Sequence, residues 1–337
     1  MTTSCGLTVM PEALMKGGGA FAADTDDDLI QAQELALVQS LMTNHIDRLM
    51  PGPASSAGSY QLQTGGSLLR AKLALASGRA FGSSRNYRVA AAAACELIHN
   101  ASLVHDDLLD RDHTRRGAAT VWKRYGDGVA LCAGDLLLCA AFGIAAGLDE
   151  PAESRQLSQH LASMTGRIIV GQSIEIAHPP DQPLPRFRAY LEAARAKTVP
   201  LIELPLIAGA TAGGADQCDQ DCIRQLASAI GLAYQIIDDL DDLNSSRQSL
   251  HPFHAWHHHR QGQRDDPEPR IGRATWHAIA SLARGRRLLE QLETKVAIPL
   301  GPTVEPLLLK LEQRALSHRR HYQSAGEPEA YDSVVAG

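Results

Sequence analysis

The chain has 337 residues, 44% of them hydrophobic and only 4% aromatic, with a net charge of −6. That length holds one large domain or two ordinary ones, and a composition rich in Ala and Leu but poor in aromatics suits packed helices rather than sheet. The acidic balance, with no long basic run, excludes nucleic acid as the expected partner.

In chain order, residues 1–24 read as a flexible tail, with Gly17–Gly19 and no periodic pattern. A first helix is expected from Thr25 to about Met50, with Asp26–Asp28 in the opening turn and an apolar stripe through Leu29, Ile30, Leu37, Leu41 and Ile46. The Pro-, Gly- and Ser-rich stretch 51–60 reads as a linker. Gly65 and Gly66 then permit a tight turn, Ser67 is placed to cap the next helix, and helix-start amides beside Arg70 and Lys72 suit a phosphate. A long helix is expected over 86–110, its run of alanines allowing close packing.

Apolar periodicity predicts further helices near 127–148, 152–178, 185–213, 215–244, 273–296 and 302–322, with a loose tail over 323–337. No stretch reads as an integral membrane segment: 127–148 comes nearest, but Asp127 and Asp135 lie in it. No secretion signal is evident, and six scattered cysteines fit a reducing cytoplasm. Cys95, Cys132 and Cys139 are expected to be buried thiols. Five histidines between His251 and His259 read as a partly exposed helix, with a metal site as the alternative. Residues 25–322 are therefore expected to form one all-α domain, a single large bundle of about ten or more helices around a central apolar cavity.

Two stretches carry chemistry. ELIHNASLVHDDLLDRDHTRRG, from Glu96 to Gly117, is an apolar run ending in Asp106, Asp107 and Asp110, with Arg115 and Arg116 beyond. At these spacings the carboxylates share one helix face. Crowded carboxylates repel, and a helix C-terminus already disfavours anions, so the pattern points to a hard cation such as Mg²⁺ held against a phosphorylated substrate. YQIIDDLDD, at 234–242, repeats the pattern with Asp238, Asp239 and Asp242, plus Asp241. Arg115 and Arg116 offer guanidinium forks suited to phosphate oxygens.

On these paired motifs the sequence resembles the trans-isoprenyl diphosphate synthases, or polyprenyl synthetases, well over about 60–245 and loosely elsewhere. The resemblance implies an isoprenoid synthase type of fold, usually homodimeric, and a prenyltransferase whose DDxxD motifs hold Mg²⁺, three ions in the family, around prenyl diphosphate substrates. It gives Asp106, Asp110 and Asp238 most of the metal contacts, with Asp107, Asp239 and Asp242 in support. It places Arg70, His99 and Arg116 on isopentenyl diphosphate, and Arg115 and Lys197 on the allylic diphosphate. Thr198 and Gln235 would face the developing cation, while the GD and GQ segments at 134–135 and 171–172 serve mainly in packing.

Two departures stand out: Ser67 occupies the lysine position of GGKxxR, and the GK-type loop after the second motif is replaced by NSSRQSLHPFHAWHHHRQGQ. The expected activity is chain elongation with isopentenyl diphosphate. The alternative is ionisation of an allylic diphosphate for another acceptor or for cyclisation. Ala101 and Ser102, one turn before Asp106, are small, so the expected product is C20 or longer.

Overall fold

A computed structural model describes residues 19–49, 51–177, 187–243 and 268–323. In order they form α1 (Gly19–Asp47), α2 (Pro53–Gln63), α3 (Leu69–Phe81), α4 (Arg85–Asp110), α5 (Val121–Tyr125) and α6 (Asp127–Ala146). The chain continues through α7 (Pro151–Ile176), α8 (Phe187–Ala212), α9 (Gln217–Leu243), α10 (Glu268–Glu293) and α11 (Gly301–Gln323). A two-residue antiparallel ladder, β1 (Thr114–Arg115) with β2 (Ala118–Ala119), tightens the turn after α4.

The central helix is α4. Its start is fixed by the Ser84 hydroxyl, which accepts from the Tyr87 amide at 3.1 Å, a cap that contributes about 1 kcal/mol. Ala90–Ala94, Leu97, Ile98, Ala101 and Val104 are buried where α4 packs on α3, α6 and α8. Each Leu or Ile fully removed from water here contributes roughly 1.5–3 kcal/mol, while the alanines let the helices approach. A second helix, α8, lies against α3, α7 and α9. At Gly171 of α7 a Cβ would fall 2.4 Å from the Lys197 amide nitrogen. Only glycine therefore lets α7 come so close to the Lys197–Thr198 turn. Pro200 and Pro205 lie inside α8, and neither can donate to the carbonyl one turn earlier.

Several expectations are corrected. The first helix starts at Gly19, inside the stretch expected to be tail. The expected linker is largely α2: Pro53 opens the helix, and the Ser55 hydroxyl accepts from the Gly52 amide at 2.9 Å. Pro, Gly and Ser favour helix starts as well as loops, and Ala57, Gly58 and Gln61 are buried, which decides the outcome. Ser67 does not cap α3. The cap position is Leu68, in a left-handed conformation with no side-chain hydrogen bond.

Cys95 is buried, but Cys132 and Cys139 are exposed. They lie on the outer face of α6, whose inner face (Ala133, Leu137, Ala140, Ala141) is buried against α4. By length and composition α6 would cross a bilayer, yet that inner face packs as a bundle helix does. The histidine-rich stretch and the tail beyond 323 lie outside the described residues.

Candidate active site

Helices α4 and α9 both run into aspartates at their C-terminal ends, and a cavity of about 650 Å³ opens between them. Asp106 of α4 and Asp238 of α9 line it, and Lys197 enters from α8, its Nζ 3.9 Å from Asp106 Oδ1. Burial pushes the Asp238 carboxyl up to about 6, against the pull of the Arg314 guanidinium. Asp238 is half-buried, its side chain 38% exposed, and a cation nearby favours its ionised form.

The other aspartates are placed differently. Asp107 is fully buried, with Oδ1 2.6 Å from Arg115 Nε and 2.5 Å from Arg115 Nη2. Burial raises its pKa and that guanidinium opposes the rise. Asp239 is also buried. It accepts from the Tyr190 hydroxyl and, at 2.7 Å, from Gln235 Nε2. The Thr198 hydroxyl donates to Gln235 Oε1, so the Gln235 carbonyl is oriented through a chain anchored on Asp239. Asp110 is exposed and Asp242 half-buried. Asp107 and Asp239 thus hold neighbouring side chains in place, while Asp106 and Asp238 face the cavity.

A cationic corner faces the acidic one. Arg70, buried at the start of α3, stands 5.7 Å from the centroid of the Tyr234 ring. Glu96 of α4 caps α3 from outside, its Oε2 accepting from the Ala71 amide at 3.0 Å. The helix-start amides expected to meet a phosphate are therefore partly occupied, and the side chains carry the anion site instead. His99 is buried, and its pKa is driven well below the usual imidazole value by burial and by the nearby Arg70, Arg116 and Arg115. It is neutral at pH 7. Arg116, at a positive φ of 53°, lies flat against Gly66, where a Cβ would come within 2.7 Å of its guanidinium. Arg70 Nε and His99 Nδ1 are buried without a hydrogen-bond partner among the described residues.

The deeper part of the cavity is apolar, walled by Ile98, Ala101, Leu138, Ile168 and Leu201. Gln172 and Thr165 also line it, each with a buried oxygen unpartnered among the described residues. The GQ segment, expected mainly to pack, therefore divides its work: Gly171 packs and Gln172 faces the cavity. Sequence reasoning also missed Glu96, Tyr190, Arg314 and His318. The last two come from α11, where Arg314 Nη2 lies 2.5 Å from Asp238 Oδ1.

Among the described residues no three carboxylates, imidazoles or thiols converge on one point. The donors that face the cavity are nonetheless carboxylate oxygens beside fixed cations. That set fits Mg²⁺ bound by one or two protein ligands and completed by substrate phosphates.

Solved structures share this architecture. The geranylgeranyl pyrophosphate synthetase of the archaeon Geoglobus acetivorans superposes with a TM-score of 0.66 at 26% identity, over 85% of this chain and 99% of that one. The fold is that of the isoprenoid synthases. The polyprenyl synthetase family model matches residues 53–252. The farnesyl diphosphate synthase of Geobacillus stearothermophilus is 31% identical over 262 residues, covering 75% of this chain and 84% of that protein. Geranylgeranyl pyrophosphate synthase 9, chloroplastic, of Arabidopsis thaliana is 29% identical over 276 residues, covering 79% and 74%. The chain belongs to the polyprenyl synthetase family of trans-isoprenyl diphosphate synthases and is a trans-prenyltransferase.

Proposed function

We propose that the protein condenses an allylic prenyl diphosphate with isopentenyl diphosphate, in a Mg²⁺-dependent reaction, to give a trans-polyprenyl diphosphate of C20 or longer. The observation that carries this reading is the pair of buried, unpartnered nitrogens, Arg70 Nε and His99 Nδ1, beside Arg115 and Arg116. Each such group left unsatisfied costs about 1–3 kcal/mol. An anionic ligand would complete both, and the diphosphate of isopentenyl diphosphate has the charge and oxygens to do so. The relatives' names, farnesyl and geranylgeranyl diphosphate synthases, favour the same substrates.

Asp106 and Asp238 would hold Mg²⁺ at the opposite end, with Asp107, Asp110, Asp239 and Asp242 around them. When bound, the metal neutralises charge on the departing diphosphate. Lys197 keeps its ammonium beside Asp106, where it orients the allylic diphosphate. Thr198 and Gln235 turn oxygen lone pairs toward the allylic carbons as positive charge develops, and the buried Asp239 keeps Gln235 from rotating. The apolar walls exclude water, so that the double bond of isopentenyl diphosphate rather than water captures the cation, and the new cation then loses a proton to the released diphosphate.

The test is incubation with Mg²⁺, farnesyl diphosphate and labelled isopentenyl diphosphate. A labelled product of C20 or longer is expected. Consumption of farnesyl diphosphate without incorporation of label would instead establish another acceptor or cyclisation. Product length has its own check: Ala101 is fully buried and lines the apolar end of the cavity, so Ala101→Phe should shorten the product by at least one isoprene unit, read by chromatography of the hydrolysed alcohols.

The same proposal includes a cytoplasmic homodimer. Leu131 of α6 and Ile169, Val170 and Ile174 of α7 are more than half exposed, an apolar face that a second copy would cover. Sedimentation equilibrium measures this directly, and a monomer at micromolar concentration would refute it.

A further inference from the structure

The second acidic cluster already holds a cation, and it comes from the last of the described helices. Arg314 of α11 places Nη2 2.5 Å from Asp238 Oδ1 and Nε 2.9 Å from Asp241 Oδ2, with Nη2 also bonded to Asp241. One turn further on, the buried His318 sets its Nε2 2.6 Å from Asp241 Oδ1. Two side chains on one face of α11 therefore grip Asp241 from both sides, and the guanidinium extends from there onto Asp238, the carboxylate of α9 that faces the catalytic cavity.

We propose that Arg314 is a tethered counter-ion that occupies the coordinating oxygen of Asp238 until metal displaces it. The second cluster then binds metal weakly by itself and loads fully only when a diphosphate supplies further ligands. The inference rests on Asp238 being a metal ligand. A guanidinium and Mg²⁺ compete for the same lone pairs, and a bond to an ionised pair must break before the ion can enter. Because Asp241 stays anchored by His318, the released Arg314 has a nearby carboxylate to return to. The exchange thus needs no large movement of α11, only rotation of one side chain.

The test measures metal binding rather than turnover. Free Mn²⁺ is titrated by electron paramagnetic resonance against the whole protein without substrate, for the wild type, Arg314→Met and Arg314→Lys. Arg314→Met is expected to bind one ion at least about tenfold more tightly, the weight of one charge-assisted contact removed. Arg314→Lys should fall between the two, and the gain should vanish in Asp238→Asn/Arg314→Met. A second measurement uses the wild type alone: hydrogen exchange of the Arg314 guanidinium protons, followed by NMR, should quicken when Mg²⁺ is added and the contact to Asp238 Oδ1 is released. Equal or weaker binding by a folded Arg314→Met, or unchanged exchange in metal-saturated wild type, overturns the role of Arg314 while leaving Asp238 as a ligand. Absence of Mn²⁺ binding in every protein, even with an allylic diphosphate present, overturns both.

Discussion

Asp106→Ala and Asp238→Ala should each lower kcat by roughly 10²–10³-fold or more, the cost of removing one group that stabilises transition-state charge. Both carboxylates line the cavity, one beside Lys197 and the other beside Arg314, so each deletion leaves a cation facing the substrate and melting temperatures should change little. EDTA should abolish turnover, and added Mg²⁺ should restore it. The adjacent residue provides the contrast. Asp239→Ala removes the acceptor of Tyr190 and Gln235 in a buried setting, which costs about 1–3 kcal/mol for each donor left unpaired. It should lower the melting temperature, unlike the two cavity-facing mutants, and reduce kcat through the loss of Gln235 orientation. Normal turnover in either cavity-facing mutant would falsify the mechanism in which both clusters serve one step.

At the opposite corner, Arg70→Met should raise the KM for isopentenyl diphosphate roughly 10- to 150-fold, the equivalent of one charge-assisted phosphate contact of about 1.5–3 kcal/mol. The KM for the allylic diphosphate should remain within a few-fold, because Lys197 and Asp106 lie on other helices. Met keeps most of the side-chain volume against Tyr234, so packing loss contributes little. Ser67→Lys should act in the opposite direction. Ser67 is exposed and lines the cavity, and a lysine there adds a cation to the corner where Arg70 and Arg116 already meet. Steady-state kinetics with each substrate varied separately decides the matter. A Ser67→Lys enzyme with unchanged KM would show that the diphosphate of the second substrate does not sit beside the glycine turn.

Glu96 shows how far local pattern reaches. A glycine turn followed by a serine and a helix reads as a capped phosphate site, yet the cap comes from a carboxylate 25 residues away. The family pattern identified Arg70 and His99, but the buried, unpartnered state of their nitrogens depends on the helices that close over them. The stretch 51–60 reads as a linker by composition yet is helical from Pro53 for a similar reason, since what makes α2 a helix is the surface it buries.

The sequence by itself determined the long amphipathic helices, the two acidic ends and the arginines beyond the first, because period 3.6 and carboxylate spacing are local properties. Spacing alone does not separate Asp106 from Asp107, or Asp238 from Asp239; the family resemblance does, giving most of the metal contacts to Asp106 and Asp238. Neighbours on a helix point about 100° apart, and which of them meets the cavity depends on what packs against the other face. Only the tertiary structure gave Asp107 to Arg115 and Asp239 to Tyr190. It alone brought Arg314 onto Asp241 across 73 residues, a pairing set by how α11 lies on α9 rather than by any motif.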